Sequence, residues 1–297
     1  RQMCIRDRSL SHNDQKIDFF GTMRDSTYKD FQLTFNDVDL KKVTPNIDSL
    51  SFGGKINGNI KYKKENNTYD PQSRITIDSL QINKILLGDL DFAIEGNNSF
   101  NQFKVTSSIS KEGEDRFFLN GNINFVGEQS SLELDAGFNE FDLAPFGPLL
   151  GNVLSDVRGS ATGRATIAGA LTKPEIDGRL YLNDAGMRVP YLNVDYAFEK
   201  NAILDITEHQ FSLRKIEVTD TKYKTKGVLD GTIRHEGLAD WQLDLHLNSN
   251  NILALDTSDS EGAYYYGTAF MNGSASITGA VNALNICLLY TSDAADE

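Results

Sequence analysis

Apolar and polar residues alternate along most of this chain. FQLTFNDVDL puts Phe31, Leu33 and Phe35 on one side of an extended backbone, and RITIDSLQIN does the same with Ile75 and Ile77 before continuing through Leu80 and Ile82. FKVTSSIS supplies Phe103, Val105 and Ile109, and SSLELDAGF supplies Leu132, Leu134, Ala136 and Phe138. DWQLDLHLN sets Trp241, Leu243, Leu245 and Leu247 against Gln242, Asp244 and His246, and GSASITGAV ends the series with Ala275, Ile277 and Val281. A period of two means strands with one dry and one wet face, and such strands pair into antiparallel sheets. The pattern predicts an all-β, mostly antiparallel fold.

Helical periodicity is confined to FDLAPFGPLLGNVLSDVRG. Leu149, Leu150, Val153 and Leu154 fit a short helix near 146–156, begun after Pro148 and stopped by Gly159. It reads equally as a plug between two β regions or as a packed connector. The expected organisation is a β region over 9–145, a connector over 146–158 and a second β region over 159–286. FGGKINGNIKY, FLNGNINFVG, RGSATGRATIAGALTKP and YGTAFMNGSASITGAV share one plan of small residues, a short strand and a further Gly. Loose repetition of this kind suggests a sheet extended strand by strand.

The two ends break the pattern. RQMCIRD can be encoded by CGT CAG ATG TGT ATA AGA GAC, and the closing CLLYTSDAADE can be encoded by the same tract in reverse complement. Both resemble the adapter used in transposon-based library preparation. Residues 1–8 and 287–297 are therefore expected to be adapter-derived and are set aside from fold reasoning. They hold both cysteines, Cys4 and Cys287. The interior then offers no disulfide, no thiolate metal site and no Cys nucleophile.

Charge narrows the partners. The chain carries 29 basic and 42 acidic residues, a net of −13. Without Arg1, Arg6, Arg8, Asp7, Asp293, Asp296 and Glu297 the balance is 26 against 38, or −12. An acidic chain with no basic stripe repels nucleic acid and fits a carrier that does not grip anionic headgroups. No run reaches the roughly 20 apolar residues of a membrane-spanning helix.

Candidate chemistry is sparse. His12, His209, His235 and His246 lack metal-ligand spacing, and His235 in IRHEG reads as a solvated turn residue. Asp256–Glu261 (DTSDSE) could offer oxygens to calcium, but lacks the Gly-centred loop spacing and reads more simply as an acidic turn. Tyr264, Tyr265 and Tyr266 fit strand aromatics better than a binding platform. Asp48-Ser49-Leu50 and Asp78-Ser79-Leu80 resemble short O-glycosylation sites. No nucleophile elbow or paired carboxylate cleft is recognisable. No catalytic residue, metal ligand or cofactor is expected.

The second half carries a family resemblance. It rests on the Gly-x-Ala-x-Gly run ending at Lys173-Pro174, on Leu182-Asn183-Asp184-Ala185-Gly186 and on Gly231-Thr232-Ile233. Asp240-Trp241 and Tyr266-Gly267-Thr268-Ala269-Phe270 complete it. In this order, over about 157–286, the segments resemble the TamB branch of the AsmA-like proteins in the form found in Bacteroidota-type bacteria. The resemblance implies an elongated periplasmic sheet, curled into an open groove or β-taco with a greasy concave face. It also implies an upstream inner-membrane anchor, phospholipid acyl chains as cargo, and a BamA-like partner in outer-membrane protein assembly. On that basis Leu132, Leu134, Leu180, Leu182, Leu243, Leu245, Leu247 and Ile277 are expected to line a lipid groove. Acyl chains require only dispersion and exclusion of water, about 0.8 kcal/mol per buried methylene, so no enzyme activity is expected. On alternation alone, the apolar face would instead pack against another sheet. The alternative role is a structural or adhesive β-repeat surface protein with no lipid cargo.

Overall fold

The computed structural model describes residues 2–44, 50–150, 154–236, 239–258 and 266–290. The fold is all-β and antiparallel, as the alternation predicts. Its backbone divides into two compact units, residues 1–139 with 164–176, and residues 140–163 with 177–297.

The first unit is a meander. Its strands are β1 (Gln2–His12), β2 (Gln15–Arg24), β3 (Tyr28–Asp39), β4 (Phe52–Glu65), β5 (Thr68–Ile82), β6 (Ile85–Gly96), β7 (Gln102–Lys111), β8 (Glu114–Asn124) and β9 (Ser131–Asp142). A single helical turn, α1 (Leu40–Val43), is capped by the Asp39 carboxylate, which accepts from the Lys41 N–H. The hairpins turn at residues that tolerate left-handed backbone, such as Asn13 and Asn66, at φ +53° and +58°. Bulges sit at Asp37 and Ser79, where the register with the neighbouring strand slips. Ser79 donates its N–H to the Asp89 carboxylate, and Leu80 beside it is buried.

Register sorts the faces of this unit. Leu33 lies opposite Phe19 and Ile60, Ile75 opposite Phe92, Val105 opposite Ile94, and Ile123 opposite Leu132. The other face carries Asp30, Lys61, Asp70, Arg74 and Asp91, tied by ion pairs such as Arg74–Asp91 at 2.6 Å. The sheet is thus apolar on one side, and the chain's β-branched and aromatic residues suit that pleated, half-covered surface.

β10 (Ser155–Ala170) and β11 (Lys173–Val189) contribute residues to both units. The second unit continues with β12 (Val194–Phe198), β13 (Ala202–Thr207), β14 (Gln210–Asp220), β15 (Lys226–Glu236), β16 (Ala239–Thr257), β17 (Gly267–Ala280) and β18 (Ala283–Tyr290). β12 and β13 run end to end and fill one place in the sheet, since both pair with β11 on one side and β14 on the other.

Three local expectations change. The described part of the helix expected near 146–156 is a 3-10 run at Ala144–Leu150; residues 151–153, Val153 among them, lie outside the described residues, and strand structure is present from Ser155. Pro148 lies inside that run and disfavours a regular α-helix. Gly159 stops no helix. It lies within β10 at φ +96°, where an added Cβ would come within 2.5 Å of the Ala185 Cα. His235 is not a solvated turn residue either. It lies in β15, one residue before the strand's end, 8% exposed, with its ring 5.4 Å from that of Phe211 and 5.0 Å from that of Trp241.

Candidate functional site

One register row runs from β11 to β18 in the second unit: Leu180, Leu204, Leu213, Gly231, Leu245, Ile277 and Ile286, each opposite the next. Gly231 interrupts the side chains of this row at φ +147°. A Cβ there would lie 2.1 Å from the Asp244 carbonyl oxygen. No L-residue with a side chain fits at that point, so the backbones of β15 and β16 approach closely.

β16 is longer than its partner β15. It pairs with β15 through Asn248, slips register between Ser249 and Ile252, and then runs on against β17. The slip buries Ile252, Leu253 and Ala254 in succession. The free edge of this extension is met by side chains. Thr225 Oγ1 accepts from the Leu253 N–H at 2.8 Å, and the Tyr196 hydroxyl donates to the Leu253 carbonyl at 2.7 Å. Asn193 Nδ2 donates to the Asp256 carbonyl. Residues of β12, of the turn that precedes it and of the β14–β15 turn thereby bond to β16, and the unit's sheet curls. An otherwise open strand edge is satisfied.

The curl encloses a narrow apolar slot of about 50 Å3. Met187 and Val189 of β11, Leu192, Tyr196, Val218, Leu229, Leu245, Leu247, Ala254, Met271, Ala275, Ile277, Ile286 and Leu288 line it. Leu245, Leu247 and Ile277 were expected to line a groove. Leu180, Leu182 and Leu243 are buried on the same face, outside the slot. Leu132 and Leu134 are half-buried on the apolar face of the first unit. Tyr196, Met187 and Met271 had no signal in the alternation, because their place depends on the curl. Leu288 lies in the stretch expected to be adapter-derived.

Asp220 organises the turn that holds the curl. It is fully buried and accepts from the N–H groups of Lys222, Tyr223 and Thr225, at 3.0, 2.6 and 2.6 Å, and from Thr225 Oγ1. Burial alone would raise its carboxyl pKa, but these donors outweigh it and hold the group below the usual carboxylate range. Tyr196 is shifted the other way. Burial, and then the Asp220 charge, push its hydroxyl well above the ordinary value, so it remains a donor. Asp256 is bonded to Lys222 Nζ at 2.6 Å and Thr268 Oγ1 at 2.9 Å, which places it in an ion pair. The rest of the acidic run from 259, as well as Asp48, Ser49, Tyr264 and Tyr265, lies outside the described residues. Among the described residues no three His, Cys, Asp or Glu side chains gather to hold a metal.

The first unit has a wider hollow of about 480 Å3, lined by Ile94, Phe100, Phe103, Ile123 and Phe125. An aromatic file leads to it. Phe19, Phe31 and Tyr62 stack at 6.3 and 6.2 Å, Tyr62 and Tyr69 meet Phe100 at 5.4 and 5.3 Å, and Phe103 follows at 5.1 Å.

Each unit is therefore a one-sided antiparallel sheet with an apolar hollow or slot on its dry face, the architecture of a β-groove protein. Residues 214–287 match the family model described as the TamB C-terminal domain. That stretch runs from β14 into β18 and supplies most of the slot, and the match supports a TamB-family segment. No curated protein and no solved structure matches the chain.

Proposed function

We propose that this chain is part of a TamB-family cell-envelope protein whose dry β face carries phospholipid acyl chains between the inner and outer membranes. On this reading it lies in the periplasm, with an inner-membrane anchor upstream. Regions beyond it engage a BamA-like partner in outer-membrane protein assembly. It makes and breaks no bonds.

The observation that carries the reading is the hollow of the first unit. At about 480 Å3 it has room for a hydrocarbon segment, and its lining is entirely Ile and Phe. Apolar hollows of this kind bind by excluding water, at about 0.8 kcal/mol per methylene. The family match in the second unit supports the same reading. The slot there holds only about 50 Å3, on the order of one or two waters, so a chain enters it only as it widens. That narrowness favours the second reading, a structural β scaffold whose dry face is sealed.

Photo-crosslinking separates the two readings. A crosslinking residue at Phe103 or Ile277 is expected to capture phospholipid, and one at Lys104 or Ser276, one position along on the wet face, is not. Capture at none of the four sites by a folded protein favours the scaffold.

A further inference from the structure

The wet and dry faces of the first unit treat lysine differently. On the wet face, Lys61 pairs with Asp70 and Lys63 with Glu65, each at 3.2 Å. On the dry face, Lys29 of β3 lies directly opposite Lys64 of β4. Both are half-buried, and neither takes part in an ion pair among the described residues. Like charges facing each other across a ladder are destabilising, and a chain with 42 acidic residues has ample means to neutralise them.

Their neighbours are apolar. Met23 lies opposite Lys29, and Tyr69 opposite Lys64 with its ring centroid 5.4 Å from Lys64 Nζ. The next row inward is Gly21, Phe31, Tyr62 and Pro71. From Tyr69 the aromatic contacts pass through Phe100 to the hollow. Two cations with no ion-pair partner among the described residues, one of them over the Tyr69 ring, thus stand at the turn end of a dry face that leads into an apolar hollow.

We infer that Lys29 and Lys64 hold the phosphate of a phospholipid whose headgroup is net anionic, with its acyl chains lying along the aromatic file. This rests on the acyl-carrier reading and adds a headgroup preference that the overall acidic charge argues against. Two ammonium groups on adjacent strands straddle a phosphodiester, and the bound anion relieves their mutual repulsion.

Isothermal titration of the full chain tests this with three probes: dihexanoyl phosphatidylglycerol, dihexanoyl phosphatidylcholine and inorganic phosphate. The anionic lipid is expected to bind about tenfold or more tighter than the zwitterionic one. Lys29→Gln with Lys64→Gln should remove that preference and leave the phosphatidylcholine affinity in place. The melting temperature should stay the same or rise, which a purely structural role for the pair would not give. Lys29→Arg with Lys64→Arg should retain the preference, and so should the wet-face control, Lys61→Gln with Lys63→Gln. Equal binding of the two lipids overturns the headgroup inference while leaving the acyl reading intact. Equal loss in the wet-face control, or phosphate binding as tightly as the anionic lipid, also overturns it. If neither lipid binds a folded chain, the carrier function itself fails.

Discussion

The Tyr196 hydroxyl donates a 2.7 Å hydrogen bond to the Leu253 carbonyl, joining β12 to β16 although β14 and β15 lie between them in the sheet. Tyr196 is 5% exposed, so that carbonyl has little access to water if the donor is lost. Tyr196→Phe keeps the ring and removes only the bond. The expected loss is about 1–3 kcal/mol, read as a lower urea midpoint with an unchanged slope. A neutral result would mean that this bond is dispensable and that packing and the Thr225 and Asn193 bonds hold the curl.

Asp220 gives a pH signature. Its folded pKa lies below the ordinary 3.8, so its contribution is fully present above that value and is lost as pH falls through the folded pKa. Asp220→Asn is expected to cost about 1.5–3 kcal/mol at neutral pH, because a charged acceptor of several donors is replaced by a neutral one. The gap between wild type and variant should close below about pH 4. Chemical denaturation at a series of pH values checks this, and a gap that persists in acid would assign the loss to shape rather than charge.

Much of this architecture is written in the alternation, and the exceptions have physical causes. The order Leu243, Leu245, Leu247 against Gln242, Asp244, His246 matches the dry face, because Gln242 to Asn248 pair without interruption with both neighbouring strands. The order fails at Ile252, Leu253 and Ala254, where a bulge shifts the register and three consecutive residues are buried. The pairing of Lys29 with Lys64 depends on strand register, and Tyr196 meets Leu253 from 57 positions away. His235 looked like a turn residue because IRHEG ends in Glu and Gly. Only the rings of Phe211 and Trp241 show it to be interior.

That burial makes His235 an acid-sensitive point. Desolvation, then the nearby His209, lower its pKa below the ordinary 6.5. Between its folded pKa and 6.5 the unfolded chain takes up a proton that the folded chain refuses, so stability falls as pH drops through this window. His235→Phe retains an aromatic ring between Phe211 and Trp241. Its melting temperature should vary less with pH below 6.5 than that of wild type, and equal slopes would show that His235 titrates freely.

Leu245 and Ile277 lie opposite each other and both line the slot, but they differ in cover. Leu245 is 2% exposed, whereas Ile277 is half-buried. A carboxylate at the first has no route to water, so Leu245→Asp should cost several kcal/mol and unfold the second unit. Ile277→Asp can turn its charge outward and should cost about 1–3 kcal/mol while the fold persists. If the slot widens to admit acyl chains, folded Ile277→Asp protein should lose crosslinked or co-purified phospholipid from this unit, since hydrocarbon would then lie against a charge. If it carries as much lipid there as wild type, the slot is interior packing and the lipid path of this unit runs elsewhere. The comparison discriminates because Leu245→Asp alone would report only a broken core, whichever role the face performs.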